Sequence, residues 1–278
     1  MTEILNGTIL AKAIRTKAKK RVAGFQHPPG LAVILVGHDP ASMLYVRLKE
    51  EAAKDVGIYV ERHNLPEKTK TKALVALIDS LNKRKDIHGI LVQLPLPAGL
   101  DTNEVINAIH PVKDIDGFHA ENRKSLLANA PILVPPVALA IMRLLQATRH
   151  PLVNKSAVIV GNSEIFAEPL IELMREAGIS ATFAKKDTSA LSAITRAADI
   201  IVVAVGKAGF LTKDMVKEAA TIIDVGTNKI HGHTIGDSAP DLINHAGFIS
   251  PVPGGVGPLT VAYLLINVIK AKELQERI

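Results

Sequence analysis

The chain has 278 residues, a formal net charge of +6 and no cysteine, so disulfides, thiol nucleophiles and cysteine-ligated metals are excluded. Its length favours two domains. With six Phe, three Tyr and no Trp, it has few aromatic rings for stacking bases, and no nucleic-acid partner is expected. No apolar run reaches the ~18 residues of a membrane helix, and the N-terminus lacks a signal-peptide pattern, so we expect a cytoplasmic protein with no membrane partner.

The first half of the chain alternates short apolar runs with amphipathic segments. Strands are predicted at residues 31–36, 58–60 and 89–94. Helices are predicted at residues 8–24, 41–56, 70–84 and 102–109. This alternation predicts βαβ units around a mostly parallel sheet, covered on both faces.

A change of pattern near residue 135 predicts a domain boundary. Pro135 and Pro136 precede a helical run over residues 137–145, and proline is favoured at helix starts. A second α/β series follows, with strands predicted at residues 157–160, 181–184, 200–205 and 221–225 and helices at 164–177 and 257–276. The fold class is therefore α/β with two domains.

Tyr45 and Lys49 are four residues apart in a predicted helix that follows the first strand. Such residues share one helix face, and Ser42 lies one turn before Tyr45. A lysine beside a phenol at the carboxyl end of a strand can transfer protons. Taken alone, this segment is explained better by a surface lysine over a half-buried tyrosine.

The strand at 157–160 runs into Gly161, Asn162 and Ser163 and then into a helix. A strand, a glycine turn and a helix N-terminus form a phosphate site typical of dinucleotide-binding domains. The strict GxGxxG pattern is absent, so a plain βα turn explains this segment equally well. Two further strands end in glycine, at Gly206 and Gly226, which lets a ligand approach the backbone.

The end of the second strand of this unit distinguishes NADP from NAD. Lys185 and Lys186 follow it, and basic residues there accept the 2′-phosphate of NADP. Asp187 is the opposing feature, because an acidic residue would bind the ribose hydroxyls of NAD. The local pattern favours NADP, with a solvated loop as the alternative.

Four blocks together resemble the bifunctional methylenetetrahydrofolate dehydrogenase/methenyltetrahydrofolate cyclohydrolase family. They are residues 30–52, 89–97 (GILVQLPLP), 111–122 (PVKDIDGFHAEN) and 250–260 (SPVPGGVGPLT), in the order and spacing of the family. The resemblance covers nearly the whole chain.

The resemblance implies an N-terminal αβα catalytic domain, residues 1–134, completed by residues 258–278. Residues 135–257 would form an NADP-binding Rossmann-type domain with a parallel sheet, and folate would lie between the domains. The implied partners are tetrahydrofolate derivatives, with polyglutamylated forms left open, and a second copy of the chain in a homodimer. The implied activities oxidise 5,10-methylenetetrahydrofolate with NADP and hydrolyse the 5,10-methenyl product to 10-formyltetrahydrofolate.

The resemblance also implies site residues. Lys49 matches the catalytic lysine, Tyr45 the tyrosine near the pterin, Gln93 the glutamine that hydrogen-bonds the lysine, and Asp116 the carboxylate on the pterin amino edge. The substrate site adds Ser42, Pro253, Gly254, Gly255 and Val256. The cofactor site comprises Gly161, Asn162, Ser163, Ile165, Lys185, Lys186, Val205, Gly206, Gly226 and Thr227. No metal is implied, because the methenyl carbon is already electrophilic.

Each assignment has a structural alternative. Gln93 could cap a turn before Pro95, and Asp114 and Asp116 could form Asx turns. Residues 253–258 could be a tight connection that opens the last helix.

The chain departs from the family pattern mainly on the cofactor side. The family usually has Pro-Cys-Thr-Pro-x-Gly where this chain has residues 135–140, PPVALA. Lys124, Asn162 and Ala167 replace a glycine, an arginine and a glycine that are common in the family. Two other hypotheses therefore stay open: a paralogue that keeps cyclohydrolase activity but has weak or no dehydrogenase activity, and a non-catalytic folate- or nucleotide-binding protein.

Overall fold

The structure is a computed structural model that describes residues 1–277. Ile278, which we assigned to the completing segment 258–278, lies outside the described residues. The chain forms two compact units. Unit 1 comprises Met1–Ala11 and Val137–Thr260, and unit 2 comprises Lys12–Pro136 and the chain from Val261 onwards. By its contacts, the N-terminal segment Met1–Ala11 thus belongs with the second half of the chain.

The elements are numbered in chain order. The helices are α1 Gly7–Val22, α2 Pro40–Asp55, α3 Thr71–Lys83, α4 Thr102–Ala108, α5 Ala120–Leu127, α6 Pro136–Ala147, α7 Glu164–Glu176, α8 Leu191–Ala197 and α9 Val256–Glu276. The strands are β1 Glu3–Ile4, β2 Gly30–Val36, β3 Tyr59–Leu65, β4 Gly89–Val92, β5 Ser156–Gly161, β6 Ser180–Lys185, β7 Ile200–Ala204, β8 Thr221–Asp224, β9 Asn228–Ile230, β10 His233–Ile235 and β11 Phe248–Ile249.

Unit 2 is built on a three-stranded parallel sheet of order β3-β2-β4. Every residue of the central strand β2 is buried, as expected of a parallel strand covered on both faces. Helix α2 follows it, with Pro40 in its first turn and Asp39 as N-cap, accepting a hydrogen bond from the Ser42 N–H at 2.7 Å. One core of this unit includes α9 residues, among them Leu264 and Val268.

Unit 1 is built on a six-stranded parallel sheet of order β1-β11-β8-β7-β5-β6. Strand β5 pairs with β6 on one side and β7 on the other. The direction of winding therefore reverses at β5, and in such sheets ligands bind at the carboxyl ends of the strands beside the reversal. Strands β9 and β10 form a separate antiparallel hairpin.

The two-domain α/β fold with parallel sheets is confirmed, and most predicted elements agree to within two residues. The strand predicted at 58–60 is longer, because β3 runs to Leu65 as a polar edge strand held by backbone pairing to β2. The strand predicted at 89–94 ends earlier, at Val92. Elements β1, α5, α8, β9, β10 and β11 were not predicted. Within residues 1–277, no helix is long and apolar enough to cross a membrane.

Candidate active site

Lys49 and Gln93 meet at the carboxyl end of the sheet in unit 2. Lys49 lies on α2, and its Nζ donates a hydrogen bond to Gln93 Oε1 at 3.1 Å. Gln93 follows β4 directly and is buried. Its Nε2 donates to the carbonyl oxygen of Leu94 at 2.5 Å, which turns the amide oxygen toward the lysine. The pair is therefore a fixed contact between a helix and a strand end.

Asp116 lies within electrostatic reach of this pair. Burial raises the pKa of the Asp116 carboxyl above its usual value, and the positive charge of Lys49 opposes that rise. Tyr45 is half-buried one helical turn before Lys49, and Ser42 is buried in the first turn of α2. The structure thus brings Lys49, Gln93 and Asp116 together, with Tyr45 on the neighbouring turn of the same helix.

A buried hydrogen-bond network holds the turn that carries Asp116. Asp114 is 2% exposed and accepts hydrogen bonds from the His119 N–H at 2.7 Å and from Asn122 Nδ2 at 2.9 Å. Burial raises the pKa of Asp114 to about 6. Gly117 has φ +72°, and a Cβ there would lie 2.7 Å from the Pro135 nitrogen. Sequence reasoning treated Asp114 only as a possible turn residue and did not identify His119 or Asn122.

Residues 253–256, predicted to contact substrate, lie in unit 1 just before and at the start of α9. The Thr8 N–H donates to the Gly254 carbonyl oxygen at 3.0 Å, and Gly254 has φ +107°. A Cβ on Gly255 would lie 2.6 Å from the Pro251 carbonyl oxygen. The loop therefore requires glycine for its own backbone, which fits both the predicted contact and the tight-connection alternative.

In unit 1, the predicted cofactor residues gather at the carboxyl edge of the sheet. Gly161 ends β5 and is in register with Lys185 on β6 and Ala204 on β7. Asn162 Nδ2 donates to the Val205 carbonyl oxygen at 2.9 Å, which ties the turn after β5 to the end of β7. Asn162 thus acts as a scaffold in this turn.

The start of α7 suits a phosphate. Ser163 is the N-cap residue of α7, but its side chain makes no capping hydrogen bond. The first backbone N–H groups of the helix therefore have no acceptor from the cap side chain. Lys185 and Lys186 are exposed beside it, and Lys185 Nζ lies 4.0 Å from Glu164 Oε1. Free N–H donors and two lysines are a donor set that fits a dinucleotide with an additional phosphate.

The remaining predicted cofactor residues differ in exposure. Gly206 and Thr227 are exposed, Ile165 is half-buried, and Val205 and Gly226 are buried. The N–H groups of Val205 and Gly206 are not free for a ligand, because both donate to Asp237 Oδ2, at 2.7 and 3.0 Å. Val205 and Gly206 therefore help to form the loop after β7 through backbone hydrogen bonds to a buried carboxylate.

Two buried aspartates, missed by sequence reasoning, organise this edge. Asp237 is fully buried, and its Oδ1 also accepts from the Lys207 N–H and from Asn228 Nδ2, both at 2.9 Å. Asp224 ends β8 and accepts from the N–H groups of Gly226, Asp237 and Ser238 at 2.7–3.0 Å. A Cβ on Gly226 would lie 2.2 Å from the Asp237 carboxylate carbon. Asp224 could have been found from the sequence, because it is an acidic residue near the end of a predicted strand, in residues 222–226 (IIDVG).

Most of the substituted residues in the segment 135–140 are buried. Ala140, where the family has glycine, is completely buried in α6 and presents no surface to a ligand. Ala167 is 1% exposed within α7. Val137 stands where the family has threonine. It is half-buried, so part of its side chain is accessible, unlike the other substituted residues of this segment.

Comparisons with known proteins agree for both units. Residues 5–116 match the family model of the tetrahydrofolate dehydrogenase/cyclohydrolase catalytic domain, and residues 135–276 match that of its NAD(P)-binding domain. The bifunctional protein FolD of Burkholderia pseudomallei is 46% identical over 275 residues, covering 97% of this chain and 96% of that protein.

Two solved structures resemble the whole chain. The bifunctional FolD enzyme of Campylobacter jejuni has a TM-score of 0.94 and 37% identity, with 100% of each chain covered. The FolD enzyme of Trypanosoma brucei, complexed with NADP and an inhibitor, has a TM-score of 0.94 and 33% identity over 100% of this chain and 99% of that one.

Proposed function

Because the chain belongs to the tetrahydrofolate dehydrogenase/cyclohydrolase family, we propose that it is a bifunctional folate enzyme. It oxidises 5,10-methylenetetrahydrofolate to the 5,10-methenyl form with NADP and then hydrolyses that product to 10-formyltetrahydrofolate. The observation that carries the proposal is the Lys49–Gln93 hydrogen bond with Asp116 in electrostatic reach, at the carboxyl end of a parallel sheet.

In the oxidation, NADP would supply, when bound, the acceptor for the hydride that leaves the methylene carbon. The residues that would hold it are those at the α7 N-terminus, together with Lys185 and Lys186. Asp116 accepts hydrogen bonds from the ring N–H and amino group of the pterin, which suits a carboxylate that carries no direct hydrogen bond to a cation. Tyr45 packs beside the pterin ring.

In the hydrolysis, water adds to the cationic methenyl carbon and the bond from that carbon to N5 breaks. N5 keeps one proton of the water, and the other proton is released. Lys49 carries protons between the water and the solvent, because a primary amine held at a fixed position can act as a general acid and base. Gln93 holds the amine in place through its 3.1 Å hydrogen bond.

The paralogue without dehydrogenase activity is not the function that the observations favour. Ala140 and Ala167 are buried, and the N-terminus of α7 with Lys185 and Lys186 supports phosphate binding in unit 1. A non-catalytic binding protein would have no need for the fixed contact between Lys49 and Gln93.

The first test replaces Lys49 by alanine. We expect methenyl hydrolysis above the buffer rate to fall by about 10²–10⁴-fold, since the proton carrier is lost. Loss of methenyl absorbance measures hydrolysis, and reduced nicotinamide measures the oxidation. Lys54→Ala, which removes an exposed lysine from the same helix, is the matched control. Unchanged hydrolysis in Lys49→Ala would remove the lysine from the mechanism.

The functional domains follow from the same proposal. Residues 1–134, completed by residues 258–278, serve the folate chemistry, and residues 135–257 bind NADP. We place the enzyme in the cytoplasm, with tetrahydrofolate derivatives as its substrates.

We also propose a homodimer, formed through the NADP-binding domain as the family resemblance implies. Sedimentation equilibrium should then give twice the 29.7 kDa mass of one chain, and a single-chain mass at micromolar concentration would contradict the dimer.

A further inference from the structure

Unit 2 contains a pocket at the opposite end of its sheet from Lys49. Residues at or just before the amino ends of the three strands line it: Pro28, Tyr59 and His88. Its volume is about 840 Å³. From His88 to Gln93 the chain advances five residues, or about 16 Å along an extended strand. The pocket is therefore separate from the catalytic cluster.

The lining of this pocket is strongly cationic. Five lysine and arginine side chains face two carboxylates, those of Asp86 and Glu276. Arg84 pairs with Asp86 at 2.6 Å and with Glu61 at 2.8 Å, and Lys272 pairs with Glu276. Both lining carboxylates thus have a cationic partner in the wall, and the charge of Arg84 is fully used by Asp86 and Glu61.

Three lysines in the lining have no carboxylate partner among residues 1–277. Lys83 and Lys85 are exposed and form no ion pair with any described residue. Lys113 is buried, and its Nζ donates to the carbonyl oxygens of Leu81, Asn82 and Arg84 at 2.6–3.1 Å. Lys113 therefore supplies fixed positive charge from behind the wall, whereas Lys83 and Lys85 keep free donors at its surface.

His88 also lines the pocket. Burial lowers the pKa of His88 to about 4; the charges of Lys272 and Lys113 act in the same direction, and those of Glu276 and Asp86 oppose them. Its Nδ1 accepts a hydrogen bond from the Gly30 N–H at 2.9 Å, so the imidazole stays neutral and adds no charge of its own. An anion in the pocket would be attracted by the lysine charges that no carboxylate of the lining pairs with.

We propose that this pocket binds a small multivalent anion carrying phosphate or carboxylate groups, with Lys83 and Lys85 as its direct contacts. A singly charged ion would not match the charge excess. The two exposed ammonium groups provide several donors to one ligand, as such anions require, and the Lys113 charge lies behind them.

The test is calorimetric titration of the full chain with inorganic tripolyphosphate and, separately, with citrate, at low ionic strength. Saturating NADP is present throughout, so that phosphate does not report on the α7 site. We expect one-site binding of at least one of the two anions, and the stronger binder identifies phosphate or carboxylate as the natural group. Lys83→Gln/Lys85→Gln should weaken that binding at least tenfold.

The matched control is Lys17→Gln/Lys20→Gln, which removes two exposed lysines of α1 that do not line the pocket. This variant should bind the anion as the parent does. Absence of binding by both anions, or an equal loss in the two double variants, would overturn the proposal, because the attraction would then be absent or belong to the net charge of the surface.

Discussion

At the scale of single residues, the loops after β7 and β8 in unit 1, which are predicted to face NADP, depend on the side chain of Asp237. Asp237 accepts four hydrogen bonds, three of them from consecutive backbone N–H groups after β7. Its own N–H donates to Asp224, which in turn receives the N–H of Gly226. One buried carboxylate therefore sets the shape of the two strand-end loops predicted to face NADP.

Asp237→Asn should weaken NADP binding selectively. An amide cannot accept on both sides, so its NH₂ group would face N–H donors and displace the loop. We expect KM for NADP in the oxidation to rise at least tenfold, about 1.4 kcal/mol, while methenyl hydrolysis, which needs no NADP, stays near the parent rate.

Asp241→Asn, at an exposed aspartate of the same unit, is the control for this substitution. An equal fall in both activities of Asp237→Asn would indicate general unfolding, and an unchanged KM would show that the loop is not set by this carboxylate.

Some of these residues were predictable and others were not. The contact between Lys49 and Gln93 was implied by the family resemblance, because both lie in distinctive blocks. Asp237 lies about 30 residues from the N–H groups it binds. Backbone donors leave no side-chain pattern in a sequence, so its partners emerge only in the folded sheet.

At the scale of elements, α3 shows how a helix end is fixed from a distance. Helix α3 ends at Lys83, and the Lys113 ammonium binds two carbonyls of its last turns and the carbonyl of Arg84 just beyond. A cation at this position also interacts favourably with the negative end of the helix dipole. The helix is thus capped by a side chain 30 residues further along the chain.

Lys113→Met should lower the free energy of unfolding by about 2–4 kcal/mol, because three carbonyls lose a charged donor while the volume is nearly kept. Urea unfolding followed by circular dichroism measures the change. Lys83→Met removes an exposed lysine from the same helix end and should change stability by less than about 0.5 kcal/mol. Equal stability of the two variants would show that Lys113 is not a cap.

Helices and strands were predictable where periodicity was strong. The apolar spacing in α3, with Leu74, Ile78 and Leu81 buried, predicts that helix directly. Helix α5 has the sequence AENRKSLL and no clear apolar stripe, and His119 caps it by accepting from the Glu121 N–H. Strands β1 and β11 have two residues each and are defined by pairing to each other, which no local pattern reports.

At the scale of the whole molecule, two buried groups act on stability with opposite signs over the same pH range. The pKa of His88 is lowered to about 4 in the native state. As the pH falls below 6.5, the unfolded chain therefore binds a proton at His88 before the native state does. Stability from His88 is therefore complete above pH 6.5 and is lost as the pH falls to 4. Asp114 has its pKa raised to about 6, so its contribution is complete below pH 3.8 and is lost as the pH rises through 6.

His88→Asn should separate the two effects. Asparagine keeps an acceptor for the Gly30 N–H but does not titrate. The stability advantage of the parent over the variant should grow by about 2–3 kcal/mol as the pH rises from 4 to 6.5. Chemical unfolding of both proteins at several pH values measures this difference, and a difference that stays constant with pH would show that His88 does not titrate as described.

The order of residues along the chain has a consequence for how the protein is made. Strand β1, at the very start, pairs with β11 near residue 248, and the core of unit 2 takes Leu264, Leu265, Val268 and Ile269 from the last helix. Each unit is therefore completed only by residues that leave the ribosome late. One core cluster of unit 2 lies wholly within residues 32–109 and can close early, whereas the other lacks its α9 residues until the last helix is made. The growing chain therefore exposes the apolar surface of that second cluster throughout most of its synthesis, which favours aggregation.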